Sequence, residues 1–213
     1  MKRSSGELRL VREISPKQKE WRNSKEIMMY TRGSEILSDK DQDKWLTRIG
    51  EDKSLHFFGI EVEEKSTVPG WKKRPAIVGT CGLSDYSAIH RTAEFSLLIG
   101  PEYHRKGYGE RALRELLTYG FDNLGLRIIW GETFVGNPAQ KLFEKLGFVK
   151  TGVHRERYYK FGKVVDAICF DMKKEEWDDF RAGLRGGTHW LGSGAVSSTT
   201  IDPEYVFTVS PAT

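Results

Sequence analysis

The sequence predicts an α+β fold with a central mixed, mostly antiparallel sheet of about seven strands flanked by helices. Three observations predict it. Short runs that alternate apolar and polar residues recur through the first hundred positions, separated by turn residues, as in strands joined by hairpins. After residue 100 the period changes, and helical and strand patterns take turns. The 213 residues are 38% hydrophobic, with 11 Phe, 8 Tyr and 6 Trp, which is enough bulk for a sizeable core and too much for a disordered chain.

The elements follow in order. Residues 8–14, LRLVREI, alternate and predict a first strand. Residues 16–31 set Trp21, Ile27, Met28 and Met29 among charges and predict one or two helices. Ser38 stands before Asp39, Asp41 and Asp43, which is the signature of a capped helix start with an acidic first turn. Strands are predicted at 55–64, 76–84 and 92–99, with the Pro- and Gly-containing stretch between the first two as a hairpin connection. Gly107 and Gly109 then precede a helix in which Leu113, Leu116, Leu117 and Phe121 share a face, ended by Gly125. A strand over 127–134, a helix over 139–146 closed by Gly147, and strands around 148–159 and 164–172 complete the series. Residues 1–182 are read as one domain. Residues 183–213 form a C-terminal extension in which 14 of 31 residues are Gly, Ser or Thr and only Arg185, Asp202 and Glu204 are charged. Trp190, Leu191, Tyr205, Val206 and Phe207 give that extension apolar anchors, so packing onto the domain or a neighbouring subunit stands beside disorder as an alternative.

Composition narrows the function classes. No stretch approaches the roughly 18 apolar residues of a membrane span, and the basic N-terminus lacks the apolar run of a signal peptide. Two cysteines, Cys81 and Cys169, make neither a disulfide framework nor a zinc site by their spacing, and both read as core thiols. The expectation is a cytoplasmic protein with no membrane partner and no metal site. Net charge is +4, too little to require nucleic acid. Two basic stretches stand out: residues 1–26 carry eight Lys/Arg against four Glu, and residues 150–163 carry five against one. They are either solvated faces or a surface for an anionic cofactor or substrate. Trp45, Phe57, Phe58 and Trp130 are expected in the core or in pocket walls.

The segment with chemistry in it runs from Leu97 to Leu113: a strand, a basic Gly-containing loop with Arg105 and Lys106, then a helix. Glycine lets a backbone approach a ligand closely. The first N–H groups of a helix have no partner within it and carry the positive end of its dipole. Such a loop suits a phosphate or pyrophosphate.

This segment resembles the acetyl-CoA-binding motif of the GNAT N-acetyltransferase superfamily, Q/R-x-x-G-x-G/A. His104 stands in the first slot and Arg105-Lys106-Gly107-Tyr108-Gly109 follow. Downstream, the run from Asn137-Pro138-Ala139-Gln140 to Phe143-Glu144-Lys145-Leu146-Gly147-Phe148 is similar to the family's second signature. Residues 152–166, with Arg155-Glu156, Gly162 and Asp166, and the Ala93-Glu94 pair are similar to the ribosomal-protein N-acetyltransferase-like branch. The likeness covers residues 8–180.

The resemblance implies a sheet splayed between its fourth and fifth strands and acetyl-CoA as acyl donor. It implies that the backbone of Leu98 and Ile99 binds the pantetheine arm. It places the pyrophosphate over Arg105, Lys106, Gly107, Tyr108, Gly109 and Glu110 after His104. Asn137 would bond near the reacting end and Phe143 would pack beside the thioester. The reaction it implies is direct attack of a neutral amine on the thioester. An amine with a pKa of about 10.4 must first lose a proton. Glu94 is the first candidate base, Glu132 the second and His90 the third; the alternative for each is an ordinary solvent-facing residue. The family usually has Tyr where Phe143 stands, and Phe has no proton to give the leaving thiolate. Either another group gives it, with Tyr158, Tyr159 and Tyr108 as the candidates, or solvent does, or the thiolate leaves unprotonated. The acceptor is a primary amine of a small molecule or peptide. The basic stretches favour one with some negative charge, and nucleic acid and a homodimer remain open. The rival readings are a catalytically silent CoA-binding module and an acyltransferase for a modified nucleobase.

Overall fold

A computed structural model describes residues 7–63 and 75–183. The elements are β1 (Glu7–Val11), α1 (Gln18–Asn23), α2 (Lys25–Met28), α3 (Asp39–Glu51), β2 (His56–Glu63), β3 (Ala76–Ser87), β4 (Thr92–Ile99), α4 (Tyr108–Thr118), β5 (Ile128–Phe134), α5 (Ala139–Lys145), β6 (Val149–Lys160), β7 (Lys163–Lys173) and α6 (Lys174–Arg181). All seven expected strands form. Helix α6 was not anticipated: its Lys- and Glu-rich sequence hides its anchor, Trp177, which is buried and stacks on Phe180. The first strand stops at Val11, short of the expected residue 14. The helix after Gly107 ends at Thr118 and widens into a five-residue π-turn, Tyr119–Asn123, before Gly125. The hairpin connection, the extension beyond residue 183 and the first six residues lie outside the described residues.

The sheet has the order β1-β2-β3-β4-β5-β7-β6. Every neighbouring pair is antiparallel except β4 and β5. That parallel pair joins only residues 92–94 to residues 128–130. Beyond it, residues 95–99 pair with β3 alone and residues 131–134 with β7 alone. The ring of Phe95 fills the space that a side chain at Gly131 would take, at the position where the strands part. The splay is therefore present, and among the described residues no strand pairs with that edge of β4 beyond Glu94.

Strand β4 is buried from Ala93 to Ile99 because helices cover both of its faces. On one face lies α4, whose Ala112, Leu113, Leu116 and Leu117 are fully buried; each such aliphatic side chain contributes roughly 1.5–3 kcal/mol. On the other face α1 and α2 bring Trp21 against Gly100 and Gln18 to the Thr80 hydroxyl, 2.6 Å away. Helix α3 starts as expected: the Asp41 N–H donates to Ser38 Oγ at 3.3 Å and the Ser38 N–H donates to Asp41 Oδ2 at 2.9 Å. No described helix is long and apolar enough to cross a membrane.

Candidate active site at the split of the sheet

The first half of the site is backbone. The loop between β4 and α4 places Arg105 at φ +61° and Gly107 at φ +77°, two left-handed residues one apart, directly before the α4 N-terminus. That conformation turns successive N–H groups toward one side and makes an anion-binding concavity. Nothing lies within 4 Å of where a Gly107 side chain would start, so the loop faces open space there. Arg105 and Lys106 are exposed on it.

Gly109 differs from the sequence expectation. A Cβ at 109 meets Leu142, Leu97 and Ile99 at 3.4–3.7 Å, so this glycine faces the helix–sheet interface and permits close packing. The His104 side chain turns inward, where Nε2 donates to the Ile99 carbonyl at 2.9 Å. Burial lowers its pKa, which keeps the ring neutral. His104 thus pins the loop to the end of β4. The Glu110 carboxylate is bound to Arg114 at 3.1 Å and Lys145 at 2.6 Å, so only its backbone N–H is left to serve an anion. Tyr108, Leu98 and Ile99 have buried side chains.

Asn137 is buried with its amide engaged. Nδ2 donates to Thr133 Oγ1 at 2.6 Å, and Oδ1 accepts from the Ala139 N–H at 2.9 Å. It ties the start of α5 to β5. Phe143 is fully buried among Phe95, Phe148 and Phe170, with ring centroids 5.0–5.9 Å away.

The second half of the site is side chains on the opposite face of the sheet. Glu94 on β4 and Glu132 on β5 are each only 4% exposed. Arg32, from the segment after α2, lies between them. It donates through both terminal nitrogens to Glu94 and reaches Glu132 Oε1 at 3.0 Å. Burial raises the Glu94 pKa, an effect that Arg32 only partly offsets. Burial opposes the charge on Arg32, but the two carboxylates outweigh it and hold the guanidinium more firmly charged than usual. The Tyr158 hydroxyl donates to Glu132. Burial and that bond raise its pKa, so the phenol stays protonated. His154 Nδ1 lies 3.2 Å from Glu132 Oε2 and Arg157 Nε 3.7 Å.

The structure therefore brings Glu94, Glu132 and Tyr158 together. It leaves His90 exposed in the β3–β4 turn, and Tyr159 is 70% exposed. Arg32 was missed by the sequence reading, since nothing near it in sequence marks it. Cys81 is the core thiol expected, fully buried, with its pKa pushed well above the ordinary thiol range by burial. Cys169 is not: it is half-buried, with Sγ 3.4 Å from His154 Nδ1. The absence of metal-ligand spacing in the sequence is also superseded, because the sheet register gathers Glu132, His154 and Cys169 with their ligand atoms within 4.8 Å of one another.

Comparison with known proteins agrees with this architecture. The chain is 34% identical over 121 residues to the uncharacterized N-acetyltransferase YoaA of Bacillus subtilis, covering 55% of this chain and 68% of that protein. It is 27% identical to the spermidine N(1)-acetyltransferase of Vibrio cholerae over 76% of this chain and 84% of that one. The crystal structure of the Vibrio cholerae spermidine N-acetyltransferase with CoA and spermine superposes with a TM-score of 0.69 at 24% identity, over 82% of this chain and 98% of that one, and so shares the fold. The family model for the acetyltransferase (GNAT) domain matches residues 8–149, and the chain belongs to that family.

Proposed function

We propose that this N-acetyltransferase moves the acetyl group of acetyl-CoA onto a small cationic amine, and that the amine enters at Glu94 and Glu132. The single observation behind the acceptor class is that buried carboxylate pair at the split of the sheet, bridged by one arginine that matches only one of its two charges. A buried carboxylate is costly unless a cation meets it. Arg32 already holds the place that an ammonium group would take. The relatives named for spermidine point the same way. This local charge outweighs the basic stretches, which lie on the surface and favour an acidic acceptor only through screened, longer-range attraction.

The residues of the donor side fit acetyl-CoA as substrate. The open edge of β4 offers main-chain groups to an extended amide-bearing arm. The loop at 105–107 offers N–H groups and exposed cationic side chains to phosphates. We assign Leu98, Ile99 and residues 105–110 to donor binding through their backbone. His104 and Asn137 hold that backbone in place, and Phe143 forms the floor beneath it.

Glu94 is the base. Its raised pKa makes it a better proton acceptor than a solvent-exposed carboxylate. It takes a proton from the ammonium, the neutral nitrogen bonds to the acetyl carbon, the carbon–sulfur bond breaks, and the acylated nitrogen sheds its second proton to solvent to leave the neutral amide. Tyr158 supplies the proton that the leaving thiolate takes up and recovers one from solvent. Glu132 orients the Tyr158 hydroxyl and shares the charge of the acceptor.

The test is product analysis by mass spectrometry with acetyl-CoA and a panel of diamines, polyamines, amino sugars, nucleobases and peptide N-termini. The expected outcome is acetylation of the small cationic amines. Glu94→Gln is expected to lower kcat by roughly 10²–10⁴-fold at pH 7 and less at pH 9, where more amine is already neutral. In the wild type, kcat/KM rises with pH through the Glu94 carboxyl, so its acid limb lies above the ordinary carboxylate range and disappears in the variant. A uniform loss across pH reassigns Glu94 to acceptor binding. Acetyl-CoA binding without turnover on any amine makes the chain a silent module.

A further inference from the structure

Glu132 lies directly across from Cys169 in the antiparallel pair of β5 and β7, so their side chains leave the sheet on the same face. His154 comes from β6, the next strand over, whose bulge between Lys150 and Gly152 brings it diagonal to Cys169. His154 Nδ1 is 3.2 Å from Glu132 Oε2 and 3.4 Å from Cys169 Sγ. A tetrahedral zinc ion with bonds of about 2.0–2.3 Å holds such ligand atoms roughly 3.4–3.6 Å apart. The two spacings from His154 are thus already at coordination distance, and all three ligand atoms lie within 4.8 Å of one another on three hydrogen-bonded strands. His154 lines a cleft of ≈ 840 Å³ together with Val153, Arg155, Glu156, Arg157 and Asp166, which gives an ion a way in from its side.

We propose that Glu132, His154 and Cys169 form a binding site for zinc or a similar thiophilic divalent cation, with a fourth position open to water. One thiolate, one imidazole and one carboxylate match zinc and not magnesium or calcium, which take oxygen ligands. On binding, Cys169 loses its thiol proton to solvent. The carboxylate and thiolate then carry two negative charges against the two of the metal.

The neighbouring cations do not block the site. Arg32 holds Glu132 through Oε1, and Oε2 is the atom beside His154. Arg157 reaches Oε2 at 3.7 Å with a side chain 52% exposed. At that length, and from so exposed a side chain, the guanidinium can withdraw into solvent when a metal takes this oxygen. On the functional reading above, the metal would take Glu132 from the acceptor and shut this side of the sheet.

Cobalt titration of the full chain tests the site independently of that reading. The expected result is one equivalent of Co²⁺ bound, with a thiolate-to-cobalt charge-transfer band and intense visible bands of a four-coordinate ion, all lost on adding one equivalent of Zn²⁺. Affinity is expected to rise with pH, because the thiol must ionise. Cys169→Ser is expected to abolish the charge-transfer band and Cys81→Ser to keep it. His154→Ala, on a half-exposed side chain whose loss leaves the fold intact, is expected to weaken binding at least 10-fold. No charge-transfer band in the wild type, or one that survives Cys169→Ser, overturns the site. Zinc is expected to inhibit acetyl transfer by the wild type and not by Cys169→Ser. Binding with the full spectrum but without inhibition upholds the site and overturns its shutting of the acceptor side.

Discussion

The two faces of the split sheet are built by different means. The donor face is main chain: an unpaired strand edge, two left-handed residues and a helix N-terminus. Two of its side chains turn away from the loop's open side, His104 toward Ile99 and Glu110 toward Lys145, while Arg105 and Lys106 stay exposed on it. The acceptor face is side chain: two buried carboxylates, an arginine, a phenol, an imidazole and a thiol. Backbone recognition suits a donor that does not change, since every residue carries the same N–H and C=O. Side-chain recognition is the part that substitution can alter, so acceptor choice belongs to it.

The largest effect that tests this contrast is on the acceptor face. Arg32→Met leaves Glu94 and Glu132 buried without their shared counter-charge, at a cost of about 3–5 kcal/mol at pH 8. The Glu94 pKa, already raised by burial, rises further. A raised folded-state pKa favours the protonated form in the fold, so the lost stability returns as pH falls through it. Urea unfolding of wild type and variant at pH 8 and pH 5 measures this. An equal deficit at both values would show that Arg32 acts by packing alone.

On the donor face, Gly107→Pro meets a φ of +77° that a proline ring fixed near −65° cannot adopt. Distortion of the loop by ~1–3 kcal/mol should raise the donor KM by roughly 10- to 100-fold with the acceptor KM unchanged. Gly109→Ala is its control. The added Cβ meets ordinary contacts at 3.4 Å and beyond, so the donor KM should stay within a factor of about two. If the two variants affect the donor KM equally, the loop backbone is not the ligand.

The smallest effect expected is at the boundary between the faces. Phe143→Tyr restores the hydroxyl usual in the family but places it in a fully buried aromatic cluster. An unpartnered hydroxyl there costs about 1–3 kcal/mol, read as a lower Tm, with no gain in kcat. A gain in kcat would mean that the reacting sulfur reaches Phe143 and that Tyr158 is not its proton donor.

Strand and helix positions along the chain were readable because apolar patterning is a local property: the apolar runs of β2 and β4 and the helical stripe of α4 are the stretches that bury. Helix α6 escaped because only Trp177 and Phe180 anchor an eight-residue segment whose other residues are all charged, too few apolar positions to show a period. Cys169 was misread for a related reason. An apolar strand suggested a core, yet its register against β6 and β5 sets the thiol beside His154 and Glu132.

By itself the sequence determined the α+β order, the family and the glycine-containing loop before α4 that we propose as the donor site. All three are written in contiguous stretches, and a phosphate cradle made of Gly107, its neighbours and a helix start needs no distant partner. Only the tertiary structure decided the acceptor side. Arg32, Glu94, Glu132, His154, Tyr158 and Cys169 are spread over 138 positions and five elements or segments. They meet because cross-strand register and the packing of the α2 segment over the sheet set which side chains share a face, and that is fixed by long-range pairing rather than by any local spacing.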